Sequence, residues 1–369
     1  MELTIRAMAP GEEPTVKALA RRCFNPIGWL FFSLGKQTFV AEHDGAIVAG
    51  VCLGTPRLPG GRVAGHIKWI FSAPEARGMG AAQALVDRAG EWFTEQRCTT
   101  WFAQVEGYNV SSSKLFATRG YERVRFADQV RRWGVGLPLV WFGIGHGMDL
   151  GHYLWVRDAS AGTESAAAGS SASSATAWLG MLVANTLIGY LVYLRWGGLA
   201  PFADLHRLWY VPVTMLVLIG VRSLSMYAAA AAVRLPVEYR GWDTGAVLSL
   251  VITAVFGGIL PVPGSLYPRS DDYSYCRELS RLGPIAFAGV VSVLIVGWAI
   301  WAVQSYVGLS PRVDELLTTG LLFARYLAIF DALAVFFPLA SYNGRRVLDW
   351  LLPAWLLPAA GTVALLVVG

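Results

Sequence analysis

The sequence is poor in residues that staple small domains or bind metals. Its 369 residues include four cysteines, Cys23, Cys52, Cys98 and Cys276, with no Cys-x-x-Cys spacing and no zinc-finger pattern. They read as reduced, buried thiols of a chain whose soluble part faces the cytoplasm. Lysine is equally scarce, at Lys17, Lys36, Lys68 and Lys114, and histidine is absent after His206. Charged residues make up 15% of the chain and the net charge is only +5. Solvated surface and basic loops beside a membrane account for that charge without a nucleic-acid partner. The opening stretch, MELTIRAMAPGEEPTVKALARRC, is mixed and polar, so no secretory leader is expected in it.

Apolar surface, by contrast, is in excess. Hydrophobic residues reach 55% and mean hydropathy is +0.47, beyond an ordinary soluble domain. Residues 1–157 hold 18 of the 30 lysines and arginines, whereas from 177 onward charges cluster between apolar runs. Between these regions lies DASAGTESAAAGSSASSATA, whose Gly, Ser and Ala cannot bury a core and which reads as a flexible tether. The expected organisation is a soluble domain over 1–157, a linker over 158–176 and an all-α polytopic membrane domain over 177–369.

In the first region, ELTIRAM alternates like a strand and EEPTVKALARRCF is patterned as a helix. QTFVAEHDGAIVAGVCLG holds two β-rich runs joined at Asp44-Gly45, a two-residue hairpin signal. RVAGHIKWIFSAP then leads into APEARGMGAAQALVDRAGEWFTEQ, where a strand ends, a Gly-rich turn follows and an amphipathic helix begins. Leu85, Ala89 and Trp92 mark its apolar stripe. Glycines between a strand and a helix N-terminus suit an anion: unpaired amides face the ligand, the helix dipole favours negative charge, and Gly78 and Gly80 let a phosphate approach. A plain tight turn uses the same residues, so context decides.

The context is a second motif. PEARGMGAA places Arg77, Gly80 and Ala82 at the spacing Arg/Gln-x-x-Gly-x-Gly/Ala. NVSSSKLFATRGYERV places Asn109, Ser112, Phe116, Gly120 and Tyr121 on the pattern Asn-x-x-Ala-x-x-x-Tyr-x-x-x-Gly-Phe. With both motifs in this order, residues 1–157 resemble GNAT-type N-acetyltransferases. The resemblance implies an α/β GNAT fold, a mixed and mostly antiparallel twisted sheet with helices. It implies acetyl-CoA as substrate, its pyrophosphate on the amides of Arg77, Gly78, Met79, Gly80, Ala81 and Ala82. The pantetheine arm would pair with Ile70, Phe71 and Ser72, and Asn109 would sit near it where the sheet splays. An amine acceptor, whether small molecule, peptide or protein, would attack the thioester directly, which needs positioning, an oxyanion donor and a route for protons.

Where the family often carries a tyrosine acid this sequence has Phe116, which cannot protonate a thiolate. Tyr108 as substitute acid and Glu106 as base through water are the catalytic candidates, although residues so placed are more often plain strand residues. His66 and His146 are of a type that titrates near neutrality, but lone histidines are more often structural. The tail, WGVGLPLVWFGIGHGMDLGHYLWVRDA, reads as strand-like runs that fit the family's last two strands. LPLVWFGIG is too short to span a bilayer and also reads as a docking surface for the membrane domain or the bilayer interface.

Five later stretches are long enough to span: 177–196, 209–233, 284–303, 317–340 and 351–368. A sixth, GAVLSLVITAVFGGILPVPG over 245–264, breaks into Gly-Gly and Pro-x-Pro-Gly. Acetyl-CoA is cytosolic, which puts the first domain inside. If 245–264 spans, Arg269, Arg277, Arg281, Arg345 and Arg346 fall outside, against the positive-inside rule. A re-entrant hairpin returns them inside, so five spans and one re-entrant segment are expected, in contact with membrane lipids.

VRSLSMYAAAAAVRLPVEYRGW, the Pro-Gly stretch, GPIAFAGVVSVLIV and YLAIFDALAVFFPLASYNGRRVLDW follow one another in a telling order. Together they resemble the core of site-2-protease-like intramembrane zinc metalloproteases. The resemblance puts Arg222, Ser223 and Met226 where that family has His-Glu-x-x-His, and Asn343 where it has a third ligand. None of these is an imidazole or carboxylate donor, so no metal is expected and the domain reads as an inactive pseudoprotease. Arg222 then either lines the former active-site cavity or pairs with Asp331 or a carbonyl, with Arg325 as another polar neighbour. The combined expectation is a membrane-tethered N-acetyltransferase. Its rivals are a non-catalytic acyl-CoA sensor and a client-binding pseudoprotease.

Overall fold

The computed structural model describes residues 3–24, 26–146, 150–159, 174–198, 202, 204–269, 273–336 and 339–368. The chain divides into two compact units, Met1–Gly147 with His152–Ser171, and Met148–Gly151 with Ala172–Gly369. Of the Ala/Ser/Gly-rich stretch, 160–173 lies outside the described residues.

The first unit runs β1 (Thr4–Ala7), α1 (Glu13–Cys23), α2 (Pro26–Leu30), β2 (Gln37–His43), β3 (Ala46–Gly54), β4 (Ala64–Ser72), α3 (Ala81–Glu95), β5 (Thr100–Glu106), α4 (Val110–Ala117), β6 (Glu122–Arg123), α5 (Phe126–Trp133), α6 (Leu137–Ile144) and β7 (His152–Asp158). The sheet order is β1-β2-β3-β4-β5-β7-β6, antiparallel except between β4 and β5. This is the mixed, mostly antiparallel sheet with helices expected from the two motifs. Asp44 and Gly45, both at positive φ, close the β2–β3 hairpin in two residues.

β4 and β5 pair only over Ala64–Ile67 and Thr100–Ala103, and beyond that point the strands part. The parting coincides with an irregularity in β4. Ile67 faces Leu53 and Trp69 faces Cys52, so Lys68 is an extra residue against β3. On one face of the sheet α3 buries Leu85, Ala89 and Phe93 against Phe39, Val51 and Ala103. Each such large side chain contributes roughly 1.5–3 kcal/mol of burial. On the other face Val140 and Ile144 pack on Ala64, Phe102 and Leu154.

The stretch read as a strand, LPLVWFGI, is the helix α6. Leu137, Val140, Trp141 and Ile144 form its buried stripe at helical spacing, Pro138 stands in its first turn, and Gly145 at φ 68 ends it. Apolar residues on its other side mask that period in the sequence. Of the two strands expected in this tail, only β7 forms; the two-residue β6 precedes the tail. His66 and His146 are buried in this unit, and desolvation pushes each imidazole down to about 3.

The second unit contains α7 (Ser174–Gly197), α8 (Leu205–Leu208), α9 (Tyr210–Ala232), β8 (Val237–Arg240), α10 (Asp243–Phe256), β9 (Ser265–Pro268), α11 (Tyr275–Tyr306), α12 (Pro311–Ala328), α13 (Asn343–Trp350) and α14 (Leu352–Val367). Among the described residues four helices are long and apolar enough to cross a membrane: Ser174–Gly197, Leu205–Ala232, Tyr275–Tyr306 and Pro311–Leu333. The fifth expected span, 351–368, corresponds to α14, whose 16 residues cover about 24 Å, short of a hydrocarbon core. The segment 245–264 is α10 followed by an extended return, and its ends meet because Arg240 pairs with Ser265 across β8 and β9. Its two ends therefore lie side by side.

That return is fastened by side chains. Asn185 both donates to and accepts from Val262, at 3.0 Å each way, and Ser249 Oγ donates to the Leu260 carbonyl at 2.5 Å. Tyr239 Oη donates to the Pro263 carbonyl at 2.5 Å, and Tyr342 Oη to that of Pro261. Arg222 Nη1 donates to the Gly264 carbonyl at 3.1 Å. The same guanidinium grips Asp331 through Nε and Nη2, both at 2.9 Å, with both residues 0% exposed. Asp331 lies in a five-residue π turn, Ile329–Leu333, that ends α12. Arg222 is therefore packed in an ion pair, while Arg325 donates elsewhere, to the Leu365 carbonyl.

Removing one partner of a buried ion pair costs roughly 3–5 kcal/mol, because the other charge is stranded. Asp331→Leu should lower the stability of the detergent-solubilised protein by that order. The double variant Arg222→Met with Asp331→Leu should recover part of the loss. A double variant as unstable as the sum of the singles would rule out the pairing. A second expectation concerns pH. Folded His66 and His146 stay neutral down to about 3, whereas unfolded imidazoles take a proton near 6.5. The unfolded chain therefore binds the extra protons, and stability falls as pH drops from about 6.5 toward 3, by about 1.4 kcal/mol per pH unit for each. Unfolding followed between about pH 7 and 5 should show a shallower slope in His66→Leu, and an unchanged slope would count against this account.

Candidate functional site

At the end of β4 the chain turns through Gly78 and Gly80, at φ 85 and 83, and enters α3. No side chain caps α3, and its first turn holds no acidic residue. The amides of Arg77 and Met79 are used inside the turn, donating to the Pro74 and Ala76 carbonyls at 3.3 Å each. Gly78, Gly80, Ala81 and Ala82 supply the amides at the helix start, where partial positive charge gathers.

These residues open on a cavity of about 620 Å³, within the range of small-molecule sites. Nine of the ten residues expected to hold acetyl-CoA line it: Ile70, Phe71 and Ser72 from β4, Arg77, Gly78, Gly80, Ala81 and Ala82 from the turn and helix, and Asn109. Met79 does not, since its side chain points away and is exposed. The β4 wall is the edge that has lost its pairing with β5, so from Lys68 onward that edge faces the opening while the other stays paired with β3.

Asn109 caps α4, its Oδ1 accepting from Ser112 N–H at 3.2 Å. Glu106 and Tyr108 lie outside the cavity lining, at and just beyond the end of β5. They adjoin each other, the Tyr108 amide donating to Glu106 Oε2 at 2.9 Å, and Tyr108 is buried. Phe116 is in the core, edge-to-face on Tyr121 at 5.1 Å. Cys23, Phe24, Gln83, Ser111 and Leu115 also line the cavity and were not singled out from the sequence. Cys23 Sγ donates to the Ser72 carbonyl at 3.3 Å, and burial pushes its thiol up. Ser111 and Leu115 lie at unspecified positions inside the second motif; Cys23, Phe24 and Gln83 lie outside both motifs. The last turn of α1 reaches the cavity through the fold.

In the second unit the positions compared with metal ligands do meet. Asn343 Nδ2 donates to Asp331 Oδ2 at 2.9 Å and lies 3.6 Å from Met226 Sδ, beside Arg222. Among the described residues there is no group of three or more His, Cys, Asp or Glu able to hold a metal. A cavity of about 630 Å³ between α7 and α9 is mostly apolar, with Ser174 and Ser223 beside Trp178 and Tyr227 in its lining. Both hydroxyls already accept hydrogen bonds, from Tyr239 N–H and Trp178 Nε1–H.

Comparison with solved structures finds similar chains. One is N-acetylglutamate synthase from Neisseria gonorrhoeae, solved with coenzyme A and N-acetyl-glutamate: 17% identity, 44% of this chain, 36% of that chain, TM-score 0.32. This chain thus spans about a third of the synthase. Ribosomal-protein-alanine N-acetyltransferase from Brucella melitensis aligns at 19% identity over 42% of this chain and 99% of its own, TM-score 0.30. The ribosomal-protein-S18-alanine N-acetyltransferase from Escherichia coli aligns at 12% over 45% and 99%, TM-score 0.31. No curated protein matches the chain. Residues 9–121, which contain every residue lining the β4–α3 cavity, match the Acetyltransferase (GNAT) family.

Proposed function

We propose that the first unit transfers an acetyl group from acetyl-CoA to an amine, and that the second unit holds it, multi-pass, at a membrane with the first unit in the cytoplasm. The observation that carries this is the cavity at the parting of β4 and β5, because it joins two kinds of backbone donor in one space. The uncapped amides of Gly78, Gly80, Ala81 and Ala82 suit a pyrophosphate. The open edge along Ile70, Phe71 and Ser72 suits the amides of a pantetheine arm, which adds to β4 as a strand would. Asn109 flanks that arm.

The acceptor nitrogen attacks the thioester carbonyl carbon, the C–S bond breaks, and the departing sulfur takes a proton. Glu106, held at the end of β5 by the Tyr108 amide, is our candidate to take the proton from the amine through water, and Tyr108 is the candidate donor to sulfur. Phe116 has no proton to give. Its burial favours a second reading, in which the unit binds acyl-CoA without turnover as a sensor. For the second unit we propose a pseudoprotease role in anchoring or substrate recruitment. The meeting of Arg222, Met226 and Asn343 around Asp331, where the resembling family places its metal ligands, supports that role.

Calorimetric titration of the full chain in detergent with acetyl-CoA should show binding, and Gly80→Glu should weaken it at least tenfold. A Cβ at Gly80 approaches only Gln83 Oε1, at 3.8 Å, so the loss would come from positive φ and like charge, not from a clash. No binding by folded wild-type protein would refute the cofactor site. Glu106→Gln should leave that binding intact and slow transfer to an amine acceptor by about 10²–10⁴. Wild-type protein that binds but transfers to no amine in an acceptor screen would favour the sensor.

A further inference from the structure

We propose that the outer side of α6, with Val135 before it, sits in the interfacial layer of an anionic lipid bilayer; this rests on the membrane reading of the second unit. From Trp133 to Gly145 the chain has no charged residue. The inner stripe of α6 is spent on the sheet, yet its outer side is apolar as well. Leu139 is 65% exposed, Phe142 89%, and Val135 fully so. A helix in water turns a polar face outward, whereas one that is apolar all round is covered on both sides.

The borders of this patch indicate what covers it. Between Arg123 and Ile144 lie four arginines, Arg123, Arg125, Arg131 and Arg132, and a single acid, Asp128. Arg125 and Arg131 share Asp128 and Arg132 pairs with Asp158, which leaves this border net basic; Arg131 is mostly exposed, and the Arg132 guanidinium lies 5.3 Å from the centre of the half-buried Trp133 ring. Apolar side chains at the tip, arginines and an indole at the margin are the composition that settles at headgroup level on anionic lipid.

The test uses the full chain with Cys23→Ser and Cys276→Ser, in nanodiscs of equal parts phosphatidylcholine and phosphatidylglycerol. A bimane label is placed at Phe142→Cys, or at Leu139→Cys should the first variant misfold. The control is Glu91→Cys on α3, whose side chain is 67% exposed. Lipid carrying a nitroxide near its headgroup should quench the α6 label severalfold more than the control, and aqueous iodide should do the reverse. Iodide quenching equal to the control would mean the side faces water, and shielding from iodide without nitroxide quenching would mean protein covers it. Either result overturns the proposal. Leu224→Cys on the exposed side of α9 reports separately whether the second unit lies in the bilayer. Quenching there without quenching on α6 overturns the proposal alone, and no quenching at either overturns both readings.

Discussion

The candidate site depends on the point where β4 and β5 stop pairing. Up to Ile67 and Ala103 the two strands form an ordinary parallel pair; from Lys68 onward β4 keeps β3 on one side and has no strand on the other. Backbone N–H and C=O groups are obligatory hydrogen-bonding groups, so an open edge asks for a partner. The extra residue at Lys68 bends β4 locally, and the strand then delivers its end to a turn whose glycines take left-handed φ and start α3 without a cap. The rigid parts stand behind this opening: β3 holds one edge, and the Leu85, Ala89 and Phe93 stripe pins α3 to the sheet. The opening is thus stiff without being filled, the condition for recognising a long, polar, flexible ligand at low ordering cost.

The second unit meets the same demand in the opposite way. Its Pro-Gly return, 257–264, forms neither helix nor strand, and buried backbone polar groups still need partners. Here Asn185, Ser249, Tyr239, Tyr342 and Arg222 each bond to it. Arg222 joins this fastening to Asp331, and Asp331 accepts from both the backbone and side chain of Asn343. A cation, an anion and two amides thus tie the return, α9, the π turn and α13 into one packed centre.

What could be read from the sequence follows the same division. The phosphate-type turn was legible because backbone recognition leaves glycines and a helix start as its trace, and Gly78 and Gly80 do adopt positive φ. The hairpin at Asp44-Gly45 was legible for the same reason. The Arg77 and Met79 amides were not distinguishable from their neighbours, since only the closed turn shows that Pro74 and Ala76 have taken them. α6 was misread because a short apolar run with no polar side hides its period, and length alone did not decide between helix and strand. The stretch 351–368 has the composition of a span, but only the fold shows the helix stopping at 16 residues. Arg222 was recognised as needing a partner. That it bonds both Asp331, 109 residues away, and the Gly264 carbonyl is decided only by the packed fold.

The two units also differ in what they leave available. In the second, the polar groups around Asp331 bond to one another, and the serines of the α7–α9 cavity are already engaged. In the first, an uncapped helix start and an unpaired strand edge converge on 620 Å³ of space. Unused polar backbone is costly to keep, and a fold that keeps it beside a cavity of ligand size is better accounted for by a bound partner than by packing. At the centre of the second unit, by contrast, the described polar groups around Asp331 hold one another in place.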